Sequence, residues 1–292
     1  MPRLAIRHET TYRYDRPVRF GAWRLMMRPA DTHAVRLVSA ELALTPPGAT
    51  RWTFDAASNS VCHYEPQGES DILQVVSALV IDRYPAPLRA AELAAPLLPA
   101  NALAPAVLYA PDDLALLAPY LKPVDEPYDQ HLDWMRAQAR HAGENALDFL
   151  IGVSRAIQQG FSYSARAEYG TQTPAETVAR GAGTCRDFAW LMIESARRWG
   201  FAARFVTGYL YSPDGDGDGH AGAGATHAWC EVFLPDLGWL EFDPTNGLAE
   251  SPDLIRVAAA RTPQEASPMQ GEVLTAAEGR LEVSVRVSLL AP

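Results

Sequence analysis

Three cysteines in 292 residues, with no Cys-x-x-Cys among them, are too few for a disulfide framework or a zinc ribbon. In a reducing compartment each of Cys62, Cys185 and Cys230 is either packing material or a nucleophile. Positive charge is also scarce: 25 Lys and Arg face 35 Asp and Glu, a net charge of -10. Such a chain repels phosphate backbones and anionic lipid, which argues against nucleic-acid and membrane-surface roles. Nor is there a long unbroken apolar run. Leu88 to Tyr109 is interrupted by Arg89, Glu92, Pro96, Pro99 and Pro105 and does not read as a membrane-spanning helix. Met1 to Asp15 is charged and alternating, without the apolar stretch of a secretory leader, so the cytoplasm is the expected location.

Cofactor motifs are missing too. Gly181-Ala-Gly183 lacks the Lys-Ser/Thr pair of a phosphate loop, and His141-Ala-Gly-Glu144 is not a His-Glu-x-x-His zinc motif. Asp214-Gly-Asp-Gly-Asp-Gly219 imitates the start of a calcium loop, but Ala225 stands where the closing Glu belongs. It reads as a polar loop close before His227 and a candidate lid. No metal or organic cofactor is implied.

What remains is a globular composition, 48% hydrophobic and 21% charged. Ala5 to Tyr14, Val35 to Leu44 and Asp71 to Tyr84 read as strands. Pro46-Pro47-Gly48 and Ala57-Ser-Asn-Ser60 are the turns between them. Strands without intervening helices suggest a β-sandwich over 1–85. An Ala-, Leu- and Pro-rich connector with short helical pieces follows over 86–129. A core is expected over 130–250. In it, 130–160 reads as helical, with Leu147, Leu150, Ile151, Ser154 and Ile157 on one stripe and Gly160 closing it. A C-terminal extension over 251–292 ends in an alternating strand, Leu281, Val283, Val285, Val287 and Leu289, expected to be half-buried. The fold class is α+β.

The chemistry concentrates in two places. Gly181-Ala-Gly-Thr-Cys-Arg-Asp187 opens a helix, with Thr184 as N-cap and Asp187 three residues on as in a capping box. Phe188, Leu191, Met192, Ser195 and Trp199 form its stripe, Arg197 and Arg198 complement its C-terminal dipole, and Gly200 ends it. Cys185 therefore takes the first helical position, where free N–H groups and partial positive charge stabilise a thiolate and can hold an oxyanion. The bland alternative is a buried cysteine beside a cap. The second place is Thr226-His-Ala-Trp-Cys-Glu-Val-Phe-Leu234, which alternates. His227, Trp229, Glu231 and Phe233 share one face; Ala228, Cys230, Val232 and Leu234 share an apolar one, so Cys230 points into a core. After the turn Pro235-Asp-Leu-Gly238, Trp239, Glu241 and Asp243 share a face. An antiparallel hairpin sets Asp243 opposite His227 or one pair off, close enough to fix its tautomer. Alone, His227 reads as a satisfied sheet histidine and Asp243 as a turn residue before Pro244. Together with Cys185 they supply nucleophile, base and orienting acid.

These motifs, Gly183-Thr-Cys-Arg-Asp-Phe-Ala189, Thr226-His-Ala-Trp-Cys-Glu-Val232 and Gly238-Trp-Leu-Glu-Phe-Asp-Pro-Thr-Asn246, resemble the bacterial branch of the transglutaminase-like superfamily. Tyr12-Arg-Tyr14, Pro17-Val18, Arg28-Pro29 and Asn59-Ser-Val61 resemble its N-terminal β-domain. The resemblance implies a papain-like core, a capped helix on an antiparallel sheet, with Cys185 as nucleophile, His227 as general base and acid, and Asp243 as its orienter. It implies acyl transfer or hydrolysis at amide bonds through a thioester, on a protein or peptide substrate. Ala260-Arg261-Thr262-Pro263 and Leu254 depart from many relatives, which bears on substrate preference. A purely hydrolytic cysteine peptidase or amidase, and a non-catalytic binding module, are the alternatives. Homo-oligomerisation stays open. The Cys185 N–H is one oxyanion donor, and Tyr163, just upstream, is the candidate for a second.

Overall fold

The computed structural model describes residues 2–84, 107–140, 145–164, 170–212, 221 and 224–290. The N-terminal unit is organised by one long strand, β1 (Arg3–Arg28). Its first half lies between β5 (Glu69–Arg83) and β14 (Gly279–Leu290), and its second half between β4 (Ser60–Pro66) and β13 (Met269–Val273). β2 (Val35–Thr45) borders β5, and β3 (Gly48–Phe54) borders β4. The register with β5 breaks between Arg13 and Val18, around Pro17, which has no N–H to give the ladder. Val18, Phe20, Trp23 and Leu25 then close over Leu73 and Val75 of β5 and Cys62 and Tyr64 of β4, one core between two faces. The expected strand over Ala5 to Tyr14 is thus the first half of a longer one that turns a corner between two sheets.

The second unit begins with α1 (Pro111–Leu121), α2 (Asp129–Ala139) and α3 (Ala146–Gly160). The stretch expected to be helical over 130–160 is therefore two helices; residues 141–144, with the His141–Glu144 motif, lie outside the described residues, as does the 86–106 part of the connector expected over 86–129, whose remainder holds α1. Asn145 caps α3 by accepting from Asp148 N–H at 2.9 Å, and the helix ends at Gly160. A two-residue parallel ladder follows, β6 (Ser162–Tyr163) with β7 (Ala182–Gly183), separated by α4 (Pro174–Arg180). Next comes α5 (Cys185–Arg198). It packs on an antiparallel sheet ordered β11 (Leu248–Ala249), β10 (Gly238–Asp243), β9 (His227–Leu234), β8 (Ala203–Leu210), β12 (Leu254–Ala260). Ala228, Cys230, Val232 and Leu234 of β9 form a common core with Phe188, Leu191 and Met192 of α5, as alternation requires.

The residues from 251 onward do not stand apart as an extension. β12 completes the core sheet, whereas β13 and β14 complete the N-terminal one. The final strand is also less covered than its alternation suggests. Val285 is 4% exposed, but Leu281, Val283 and Leu289 are 42–56% exposed, so the face that carries them is well covered only around Val285. Among the described residues no helix is long and apolar enough to cross a membrane.

The two units meet along β12 and β8. Leu4, Ile6, Leu79 and Ile81 pack against Tyr209, Ile255 and Val257. Buried Asn59 serves β12 as a substitute strand: its Nδ2 donates to Ala259 O and its Oδ1 accepts from Ala259 N–H, both at 2.8 Å. Asn59→Ala should cost about 2–3 kcal/mol in urea unfolding, since it strands two buried backbone groups. A loss under about 0.5 kcal/mol would mean that the amide does not carry the junction. His8 is buried at the same seam, with Nδ1 on the Tyr209 hydroxyl at 3.1 Å and Nε2 on Thr10 Oγ1 at 3.0 Å. Burial pulls it down to about 4, so it stays neutral at physiological pH.

Candidate active site

The first turn of α5 is fixed from below by Asp187. Its buried carboxylate accepts from the Thr184 N–H at 2.8 Å, from Thr184 Oγ1 at 3.0 Å and from the Gln172 N–H at 2.7 Å. One carboxylate thus ties the N-cap to the segment before α4. Gly183 is required here: a Cβ would come within 2.8 Å of Asp187 Cβ and 3.2 Å of the Phe188 ring. Cys185 follows as the first helical residue, 7% exposed. Its N–H, like others of the first turn, has no partner within the helix.

His227 opens β9. Its Nε2–H donates to Asp243 Oδ2 at 2.8 Å, and both side chains are fully buried. The ladder runs Gly238–Leu234 to Phe242–Cys230, so the next step sets Asp243 across from Trp229, one same-face position from His227. Trp229 lies near-parallel to the imidazole at 5.9 Å and anchors its Nε1–H on Glu241 at 3.1 Å. With Nε2 committed, Nδ1 is the nitrogen left for chemistry, and it makes no hydrogen bond of ordinary geometry. Burial, the largest single influence, pulls the His227 imidazole down. The charge and hydrogen bond of Asp243, and then those of Cys185, outweigh it and push the group up to about 10. The ring is therefore an imidazolium at neutral pH, coupled to the Cys185 sulfur.

Asp243 is held by more than its histidine. Thr245 N–H donates to Oδ1 at 2.9 Å, and Asn246 Nδ2 donates to Oδ2 at 2.8 Å. Burial works against its ionised form, but the His227 charge and these three donors hold it below the ordinary carboxylate range. Asn246 also accepts from the Ala221 N–H at 2.8 Å, which joins the acid to the segment leading into β9. Neither Thr245 nor Asn246 was selected as a site residue from sequence, although both lie in the Asp243-Pro-Thr-Asn246 motif. The Asp214–Gly219 loop lies outside the described residues.

The other cysteines are packing groups. Cys230 is fully buried with Sγ donating to Phe242 O at 3.4 Å, and burial pushes its thiol well up. Cys62 is buried in the N-terminal core and pushed up for the same reason. His63 lies on β4, 2.9 Å from Thr53 Oγ1. Trp190 and Trp229 are buried, and Trp239 packs edge-on to Tyr120 and Phe233. Among the described residues no group of three or more His, Cys, Asp or Glu is placed to hold a metal.

A helix-borne cysteine set against an antiparallel sheet, whose histidine is oriented by a buried carboxylate, is the arrangement that a cysteine-type enzyme needs. The chain belongs to the transglutaminase-like superfamily: residues 135–244 match the superfamily core, and residues 4–82 match the bacterial transglutaminase-like N-terminal region. It is 28% identical over 295 residues to an uncharacterized protein of Mycobacterium tuberculosis, covering 98% of this chain and 92% of that one. A second uncharacterized relative, from Mycobacterium leprae, is 31% identical over 109 residues, covering 37% of this chain and 38% of that one. The fold is that of a candidate cysteine protease from Cytophaga hutchinsonii, with a TM-score of 0.72 at 18% identity over 100% of this chain and 91% of that one.

Proposed function

We propose that the protein cleaves amide bonds of a protein or peptide substrate through a thioester on Cys185, and passes the acyl group to water or to an amine. The Cys185 thiolate attacks the carbonyl carbon. As the C–S bond forms and the C–N bond breaks, the His227 imidazolium gives its proton to the departing amine or ammonia. His227 then takes a proton from water or from a second amine, which attacks the thioester and releases the thiolate. The product is a carboxylic acid or a new amide.

The observation that carries this reading is the asymmetry of His227. Elsewhere in the same chain the buried His8 engages both ring nitrogens. At His227 only Nε2 makes a hydrogen bond of ordinary geometry, and the buried Nδ1 is left to Cys185, whose charge and hydrogen bond help to raise the imidazole. A structural histidine gains little from such a loosely held nitrogen, whereas an acid and base for a thiol needs it. This favours an enzyme over a non-catalytic module.

The test is alkylation of Cys185 by iodoacetamide across pH, in the wild type and in His227→Ala. Cys62 and Cys230 are 0% exposed against 7% for Cys185, so the labelling is read at Cys185, with Cys185→Ala as the blank. Fast labelling is expected to persist down to about pH 6 and to fall roughly 10- to 100-fold there in the variant. Equal rates in both proteins would remove the pair from the mechanism. With a peptide amide substrate, a primary amine in the assay separates transfer from hydrolysis by the product that accumulates.

A further inference from the structure

We infer that Glu241 is a positioning residue for the proton transfers of His227: it pins the Trp229 indole, and the face of that indole sets the tilt of the imidazole. The inference rests on the thioester reading above. Asp243 holds the ring at one atom, Nε2, and a ring held at one atom can still tilt about that bond. The other restraint is the buried Trp229, two residues along β9. Its indole lies 28° from the plane of the imidazole, with centroids 5.9 Å apart. The indole crosses the sheet and is held at both ends. On the β8 side it rests on Gly208, the ladder partner of His227, where a Cβ would come within 2.6 Å of Trp229 Cη2. On the β10 side its Nε1–H donates to Glu241 Oε1 at 3.1 Å.

Glu241 is placed for this task and not for an ion pair. Directly across the ladder stands Glu231, which takes Arg204 Nε at 2.5 Å and Arg256 Nη1 at 3.2 Å. The Glu241 side chain accepts from the indole alone among the described residues. Its backbone is secured by Glu250: the Glu241 N–H donates to that carboxylate, and the Glu241 carbonyl accepts from the Glu250 N–H at 2.9 Å. Burial first, then the charges of Glu231 and Glu250, push the Glu241 carboxyl above the ordinary range, against weaker pulls from Trp229 and Arg83. The site therefore draws on the oxygen rather than on the charge, and an amide can stand in for it. The imidazolium in turn lies within about 6 Å of an indole face, where a cation is stabilised. A released indole would surrender that contact and the wall that keeps Nδ1 toward Cys185. No proton passes through Trp229 or Glu241; His227 remains the group that transfers it.

Alkylation of Cys185 by iodoacetamide at two pH values tests this. At about pH 6 the reaction needs an imidazolium beside the thiol, whereas at about pH 9.5 an ordinary thiol ionises without one. Glu241→Leu keeps the bulk and removes the acceptor. Its rate at the lower pH is expected to fall roughly 5- to 20-fold, and its rate at the higher pH to stay within about threefold of wild type. Glu241→Gln, which keeps the acceptor oxygen, should return the lower-pH rate to within about twofold. Trp229→Phe keeps a ring but no N–H. It should show the same pH-selective loss, and Glu241→Leu should add nothing to it. Undiminished lower-pH labelling in Glu241→Leu, beside a fast wild type, would overturn the inference and leave the thioester reading standing. So would a Glu241→Gln variant as slow as Glu241→Leu, a further loss in the double variant, or equal losses at both pH values. Slow lower-pH labelling of the wild type itself would remove the parent reading and this inference together.

Discussion

Asp243→Asn is expected to lower kcat/KM roughly 10³- to 10⁴-fold and to move the alkaline limb of its pH profile down by more than about one unit. Two separate losses combine. The first is charge. His227 is buried, and burial alone would pull it down; Asp243 is the foremost reason that it stands at about 10 instead. A raised pKa means that the imidazolium persists below that value, so the wild type keeps its proton donor until pH approaches about 10. Without the carboxylate, the proton leaves at lower pH, and the alkaline limb follows it. The second loss is geometric. Three donors converge on Asp243: His227 Nε2 and Asn246 Nδ2 on Oδ2, and Thr245 N–H on Oδ1. An asparagine has one acceptor oxygen, so whichever way it turns at least one buried donor meets an N–H. Stability should show the same pair. The depressed Asp243 contributes stability that is present above its unfolded value of 3.8 and is lost as pH falls through its lower folded value. The raised His227 contributes stability that is fully present below 6.5 and is lost as pH rises through about 10. Urea midpoints of the wild type should therefore form a plateau between these limits, lower and flatter in the variant. An alkaline limb that stays in place would show that His227 does not depend on Asp243 for its charge.

The candidate triad could be read from sequence because each member sits on a regular element. Cys185 follows a capping signature, and His227 and Asp243 fall on strands whose alternation declares a face. Sequence left open whether 227 and 243 are opposite or offset; the ladder through Phe242–Cys230 makes them offset. Thr245 and Asn246 were passed over because they lie in a turn, where no periodicity marks direction. α4 has an explicit start in Thr173-Pro-Ala-Glu176, with the Glu176 carboxylate accepting from the Thr173 N–H at 2.8 Å, but seven residues are too few to show a stripe. The pairing of β14 with β1 joins Arg3 to Leu290, and nothing local in either strand names so distant a partner. The corner in β1 was missed for a related reason: its two halves face two sheets, so one alternation does not run through it.

Glu194 shows the same limit, and its removal should strongly destabilise the helix that carries the nucleophile. From sequence, Arg197 and Arg198 are dipole partners at the end of that helix. In the structure they converge on Glu194, which is wholly buried. Arg197 Nη1 donates to it at 3.0 Å and Arg198 Nη1 at 2.9 Å, while the backbone N–H groups of Val124 and Asp125 donate at 3.0–3.1 Å. Arg197 goes on to the carbonyls of Tyr120, Ala203 and Arg261. One carboxylate therefore ties α5 to the segment between α1 and α2, and its guanidinium partner ties α5 to β8 and to the end of β12. Glu194→Ala leaves a buried guanidinium without its counter-charge and two N–H groups without acceptors. Breaking a buried pair from one side costs about 3–5 kcal/mol, far more than an exposed ion pair is worth. For a chain of this size, thermal unfolding should fall by roughly 10 °C. Glu194→Gln keeps an acceptor for the backbone donors and should lose less, although the charge is gone. The effect is on folding rather than on chemistry. Glu194 lies nine residues along α5 from Cys185, and the first turn has its own support in Asp187. Well below the lowered transition, activity per folded molecule should stay within about twofold of wild type. A variant that melts with the wild type would show that the cluster's mutual attraction only balances the cost of burying it. One that stays folded but loses activity would show that the far end of the helix governs the position of its first residue.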